Sequence, residues 1–141
     1  MSGLADAITQ IQAVIGALEG IKAAPAAPPE QLSGEFPFSV CYPGEGDWNE
    51  AVAGLKQALH TIIVEIHLQR GDLPSDVTAA LAYADSVPNA LFKALGTDRL
   101  GGTISTFSGI HYVFGALDWG GMTNIGWRWS IQGVKIQSEV S

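Results

Sequence analysis

Glu65 and His67 are the residues of this chain best placed to act together. They stand two apart in an alternating apolar run and so share one face of a strand. His60 and His111 lie in segments that could neighbour that strand. A metal centre needs three or four converging ligands, and alternation relates only Glu65 to His67. The pair therefore reads as ordinary polar residues on the face where a sheet meets solvent or a partner. Cys41 is the sole cysteine; as a nucleophile it would need a histidine within hydrogen-bonding reach. Its neighbours Val40 and Tyr42 are those of a plain strand, where a buried, inert thiol is the usual outcome. No G-x-S-x-G elbow is present. The glycines of Leu100-Gly101-Gly102-Thr103 and Gly120-Gly121-Met122 do not join a strand to a helix N-terminus, so they read as loop glycines and not as a phosphate cradle. These residues point away from an enzyme, and neither a cofactor nor a metal is expected.

The tryptophans divide into two pairs. Trp127 and Trp129 share a strand face and are expected in the core beneath a helix. Trp48 and Trp119 fall at turns, where a large aromatic is suited to anchoring an assembly contact. On chemistry alone, the expected subunit or partner interface comprises Trp48, Glu65, His67, Asp118, Trp119 and Met122.

The elements that must position these residues follow from periodicity. Leu4, Ile8, Ile11, Ile15 and Leu18 form a helical stripe, with Ser2 as a suitable N-cap and Asp6 near the positive end of the helix dipole; the helix is expected over residues 2–22. Residues 23–34, rich in Ala and Pro, read as a stiff linker. Phe36, Phe38, Val40 and Tyr42 alternate as a first strand, with Pro37 placing it at an edge. The stretch from Pro43 to Asp47 reads as an exposed turn, and residues 49–57 as a short helix or loop. Residues 58–69 form the strongest strand, with His60, Ile62, Val64, Ile66 and Leu68 toward the core. Asp72 or Ser75 caps a second helix, expected to kink near Ser86–Val87 because Pro88 follows, and Gly96 suits its C-terminal cap. From Thr103 onward two long strands form a hairpin about residues 118–122, with a bulge at Gly133 and room after it for a short final strand. The order α-β-β-α-β-β predicts one α+β domain, residues 1–141. Residues 35–141 form its core: a mostly antiparallel sheet with the N-terminal and central helices packed on one face.

Composition narrows the function classes. Charged residues are only 15% of the chain, against about 25% in a typical soluble domain, which suggests that other subunits cover part of the surface. The net charge of −7 and pI near 4.7 argue against gripping nucleic-acid phosphates, which needs clustered Lys and Arg. An acidic wall could nevertheless let DNA slide. No disulfide can form within the chain. No basic-then-apolar leader and no membrane-length apolar run occur, so folding in a cytoplasm is expected.

Three stretches carry a resemblance: Ile63-Val64-Glu65-Ile66-His67-Leu68-Gln69-Arg70-Gly71-Asp72-Leu73-Pro74; Ser86-Val87-Pro88-Asn89-Ala90-Leu91; and Gly109-Ile110-His111-Tyr112 through Asp118-Trp119-Gly120-Gly121 to Ile125-Gly126-Trp127-Arg128-Trp129. Over roughly residues 35–137 their order resembles the tail-terminator and tail-completion proteins, the head–tail connectors, of long-tailed phages. The resemblance implies a homo-oligomeric ring, commonly a hexamer, seated on the tail tube protein and facing the neck or connector proteins. DNA would pass through the lumen without sequence-specific binding, and the subunit would be assembled in the host cytoplasm into the virion. The alternatives are another head–tail connector or neck component, or a small-ligand binding module.

Overall fold

The computed structural model describes residues 3–32, 35–70 and 77–139. Four strands form one antiparallel sheet in the order β1-β2-β4-β3: β1 is Phe38–Val52, β2 Leu55–Arg70, β3 Gly109–Trp119 and β4 Met122–Glu139. Two long helices, α1 (Leu4–Gly16) and α2 (Val77–Phe92), complete the α-β-β-α-β-β order, with a short helical segment, α3 (Arg99–Gly102), before β3. This is the α+β fold class anticipated from periodicity.

Both helices lie on one face of the sheet. Ala7, Ile8, Ile11 and Ile15 of α1 and Tyr83, Val87 and Leu91 of α2 pack in one cluster with Cys41, Ile62, Val64, Ile66, Trp127, Trp129 and Ile131. Period-2 alternation in β2 and β4 turns those strand residues to the same side. Trp127 and Trp129 stack with ring centroids 5.5 Å apart, and Trp127 Nε1–H donates to the Ala80 carbonyl at 3.0 Å, tying the sheet to α2. Gln12 and Ser39 bring a satisfied polar contact into this core. Buried Gln12 donates to the Pro25 and Ser39 carbonyls and accepts from Ser39 Oγ, so its amide costs little to bury.

Several boundaries differ from the periodic reading, each for a local reason. Helix α1 ends at Gly16, short of residue 22, and Gly20 at φ +91° turns the chain. Gly3 is its N-cap, with its N–H donating to Asp6; Ser2, Asp72 and Ser75 lie outside the described residues. The stretch from Pro43 is not a turn. It continues β1, with register shifts at Pro43/Gly46 and Glu50/Val52, and the true turn is at Ala53-Gly54. Pairing with β2 overrides the local turn preference of Pro and Gly. Helix α2 runs through Pro88 without a break, then widens into a π-helical turn, Lys93–Thr97. Gly96 therefore lies inside that turn instead of capping the helix. The Gly133 bulge is present (φ +65°), and β4 runs on through it, so there is no separate final strand.

Residues 23–32 do more than space helix from sheet. Ala23 bridges Phe38 at the outer edge of β1, with Ser39 N–H donating to the Ala23 carbonyl at 2.8 Å. The chain then crosses to the sheet face opposite the helices, where Leu32 packs with Phe38 and Val40, and Phe36, Tyr42 and Trp119 lie against them. The supposed linker is a strap over the second face.

Candidate functional site

Beneath that strap the sheet carries a connected polar network. Register places Glu65 beside Val40 and Arg128, and His67 beside Phe38 and Gly126, all on the second face. His67 Nε2 lies 2.9 Å from Glu65 Oε1, Arg128 Nε 3.0 Å from Glu65 Oε2, and the Tyr42 hydroxyl donates to the same carboxylate. Asn124 Nδ2 approaches His67 Nδ1 at 2.9 Å. The neutral imidazole bearing its proton on Nε2 satisfies this arrangement, donating to Glu65 and accepting from Asn124. Burial alone would raise the Glu65 carboxyl, but the bonds from His67 and Tyr42 and the Arg128 charge outweigh it and hold the carboxyl below its ordinary range. Burial and the bond to Glu65 push the Tyr42 hydroxyl well above the usual phenol range.

The sequence reading placed Glu65 and His67 on an open or partner-facing surface. Instead they are 1% and 0% exposed. The strap and the rings of Phe38 and Trp119 do the covering, which no strand-local pattern could reveal. Trp119 sits at the hairpin end as expected, but its indole is half-buried. Its Nε1–H donates to the Pro29 carbonyl at 2.9 Å and its ring lies 5.4 Å from Tyr42 and 6.4 Å from His67. It therefore anchors the strap to its own sheet. Asp118 is exposed and accepts from Thr123 Oγ, and Met122 is half-buried. Only Trp48, 57% exposed, stands free of the fold's body, beside His60 and under the Lys56 ammonium. Of the six residues expected at an interface, the fold brings Glu65, His67 and Trp119 together as an internal brace. Trp48 lies at the far end of the sheet.

Burial pushes the Cys41 thiol up to about 12, so almost none of it is thiolate near neutral pH. Among the described residues no three His, Cys, Asp or Glu side chains group as a metal would require. His60 faces a cavity of about 320 Å³ bordered by Glu45, Asp47 and Thr61, and burial lowers its pKa, favouring the neutral ring.

The surface holds the feature that sequence reasoning missed. β3 is an edge strand, and His111, Tyr112, Val113 and Phe114 are exposed on both of its faces. Tyr112 is 62% and Val113 51% exposed. Tyr112 and Phe114 flank Trp127, with centroids at 5.6 and 4.7 Å, and Phe92 of α2 continues the apolar surface through Phe107 at 5.5 Å. No Asp or Glu occurs from residue 99 to residue 117. Edge strands of monomeric proteins are normally blunted by charge, proline or a cover; in β3 the one acid, Asp118, stands at the hairpin end, and Gly109–Leu117 carries no Asp, Glu, Lys, Arg or Pro. The signal was present in the sequence as a long acid-free run in an acidic chain. It became interpretable only once β3 was placed at an edge.

Among the described residues no helix is long and apolar enough to cross a membrane. Compared with models of known protein families and with curated proteins, the chain matches none.

Proposed function

We propose that this protein is a non-catalytic structural subunit of a ring of the phage tail-terminator type, which caps the tail tube, joins it to the neck proteins and lets DNA pass through its lumen. The observation that carries the reading is the edge of β3, which no other strand of the described residues pairs and whose stretch Gly109–Leu117 is free of Asp, Glu, Lys and Arg, an apolar strand suited to being covered by another chain. Low charge content supports the same conclusion, because a surface shared with neighbours needs fewer solvating groups. The net charge of −7 suits a lumen through which a polyanion slides without sticking. The phage assignment itself rests on the resemblance in element order and local texture; virion localisation follows from it.

Native mass by light scattering over a concentration series tests the reading. Wild-type protein is expected to form a ring-sized species, alone or as its concentration rises. Val113→Lys places a charge on the exposed edge and is expected to leave a folded monomer of 14.8 kDa. A wild-type chain that stays monomeric, both alone and when mixed with tail-tube and neck proteins, would overturn the proposal.

A further inference from the structure

The exposed large apolar side chains fall into two separate groups. Leu81, Phe92, Tyr112, Val113 and Phe114 lie along β3 and the neighbouring outer side of α2, whereas Trp48, Val52 and Leu59 lie on the outer half of the β1–β2 hairpin. That half forms an arm past the end of β3, with Ala58, Val134 and Ile136 still buried and Thr106 bridging Lys135 beside it. Residues 46–52 of β1 pair with residues 55–60 of β2, which pair in turn with residues 134–139 of β4, past the last β4 residue that β3 reaches, Gln132. Like β3, the arm ends in an open edge, since β1 is the other outer strand of the sheet. Among the described residues, the outer edge of β1 is paired near Phe38 and Ser39, by residues 22–23.

We infer that the free edge of β3 in one copy accepts the outer edge of the β1 arm, residues 44–52, from the next copy, in a head-to-tail antiparallel pairing. This rests on the ring reading and names the surfaces that build it. Strand sense supports it. β1, β2, β4 and β3 alternate in direction, so β1 and β3 run oppositely, and a sheet continued from copy to copy meets in the antiparallel sense. Charge supports it as well. The arm edge carries Glu45, Asp47 and Glu50 without Lys or Arg, while β3 carries a single acid, Asp118, at its hairpin end. Pairing arm with arm would set acid against acid, and like charges across strands destabilise. Pairing β3 with β3 would cover one apolar group and leave Trp48, Val52 and Leu59 in water. Only the heterologous contact engages both edges with one kind of pairing, and repeated contacts of that kind form a ring where the rotation between copies closes.

A complementation experiment decides it without knowledge of the register. Val113→Lys disables the acceptor edge and keeps the arm; the double variant Trp48→Ser/Val52→Ser disables the arm and keeps the edge. Circular dichroism first confirms that both are folded. Each variant alone is expected to be monomeric, and the equimolar mixture is expected to give a heterodimer of twice the 14.8 kDa chain mass and nothing larger. If the arm variant alone still assembles, or if the mixture of two monomeric variants stays monomeric, the inference fails while a wild-type ring would leave the structural reading standing. A wild-type chain that is monomeric with and without its tail and neck partners removes both.

Discussion

Replacing Glu65 with alanine tests whether the buried network braces the sheet. The carboxylate is 1% exposed and receives hydrogen bonds from His67 and Tyr42 and an ion pair from Arg128. Its loss strands His67 Nε2 under the strap without a partner and leaves Tyr42 without the acceptor its hydroxyl uses. Removing one partner of a buried ion pair costs about 3–5 kcal/mol, mostly the penalty of what remains unpaired. Arg128 is the lesser member, because its side chain is 41% exposed and solvent can take over its charge. Arg128→Ala is therefore expected to cost only about 1 kcal/mol. In a domain of this size each kcal/mol lowers Tm by about 4 °C, so Glu65→Ala should melt some 10–20 °C below wild type and Arg128→Ala about 4 °C below. Thermal unfolding followed by circular dichroism, with urea titrations to check that the m-value is unchanged, reads both. A Glu65→Ala loss below about 1 kcal/mol, or a loss no larger than that of Arg128→Ala, would refute the brace. It would also reopen Glu65 as a surface residue.

Because the folded Glu65 carboxyl is held below its ordinary value of 4.5, its stabilising contribution is complete above that pH and disappears as pH falls through the lowered folded value. Wild-type stability should therefore drop below about pH 4.5, and Glu65→Gln should show a shallower decline across that window in urea titrations at stepped pH. Gly126→Ala should be among the most damaging single substitutions, costing more than about 3 kcal/mol. The added methyl carbon would lie 2.0 Å from the Ile66 carbonyl oxygen, where only backbone movement could make room; a Tm near wild type would contradict the close strand approach. Cys41, buried and with its thiol pushed up to about 12, should resist a thiol-specific chromogenic reagent at pH 8 until urea unfolds the chain. Rapid labelling of native protein would show that α1 does not cover it.

The sequence carried the elements because their causes are local. The 4-3-4 spacing of Leu4, Ile8, Ile11 and Ile15, the alternation of Ile62, Val64 and Ile66, the paired Trp127 and Trp129 and the Gly133 bulge depend on residues a few positions apart, and the fold uses each as its pattern implied. Where pairing partners were remote, local signals misled. Pro43-Gly44-Glu45-Gly46-Asp47 resembles a turn, yet β2 holds it as strand, because ladder hydrogen bonds along the arm outweigh the turn preference. Glu65 and His67 alternate as exposed residues should, and only a strap some forty residues earlier, fastened by Trp119, seals them in. The sequence by itself determined element order, sheet-facing parity and an acidic, charge-poor surface. Tertiary structure decided which polar residues are buried and which strand stands at the edge, because both depend on contacts between segments far apart in the chain.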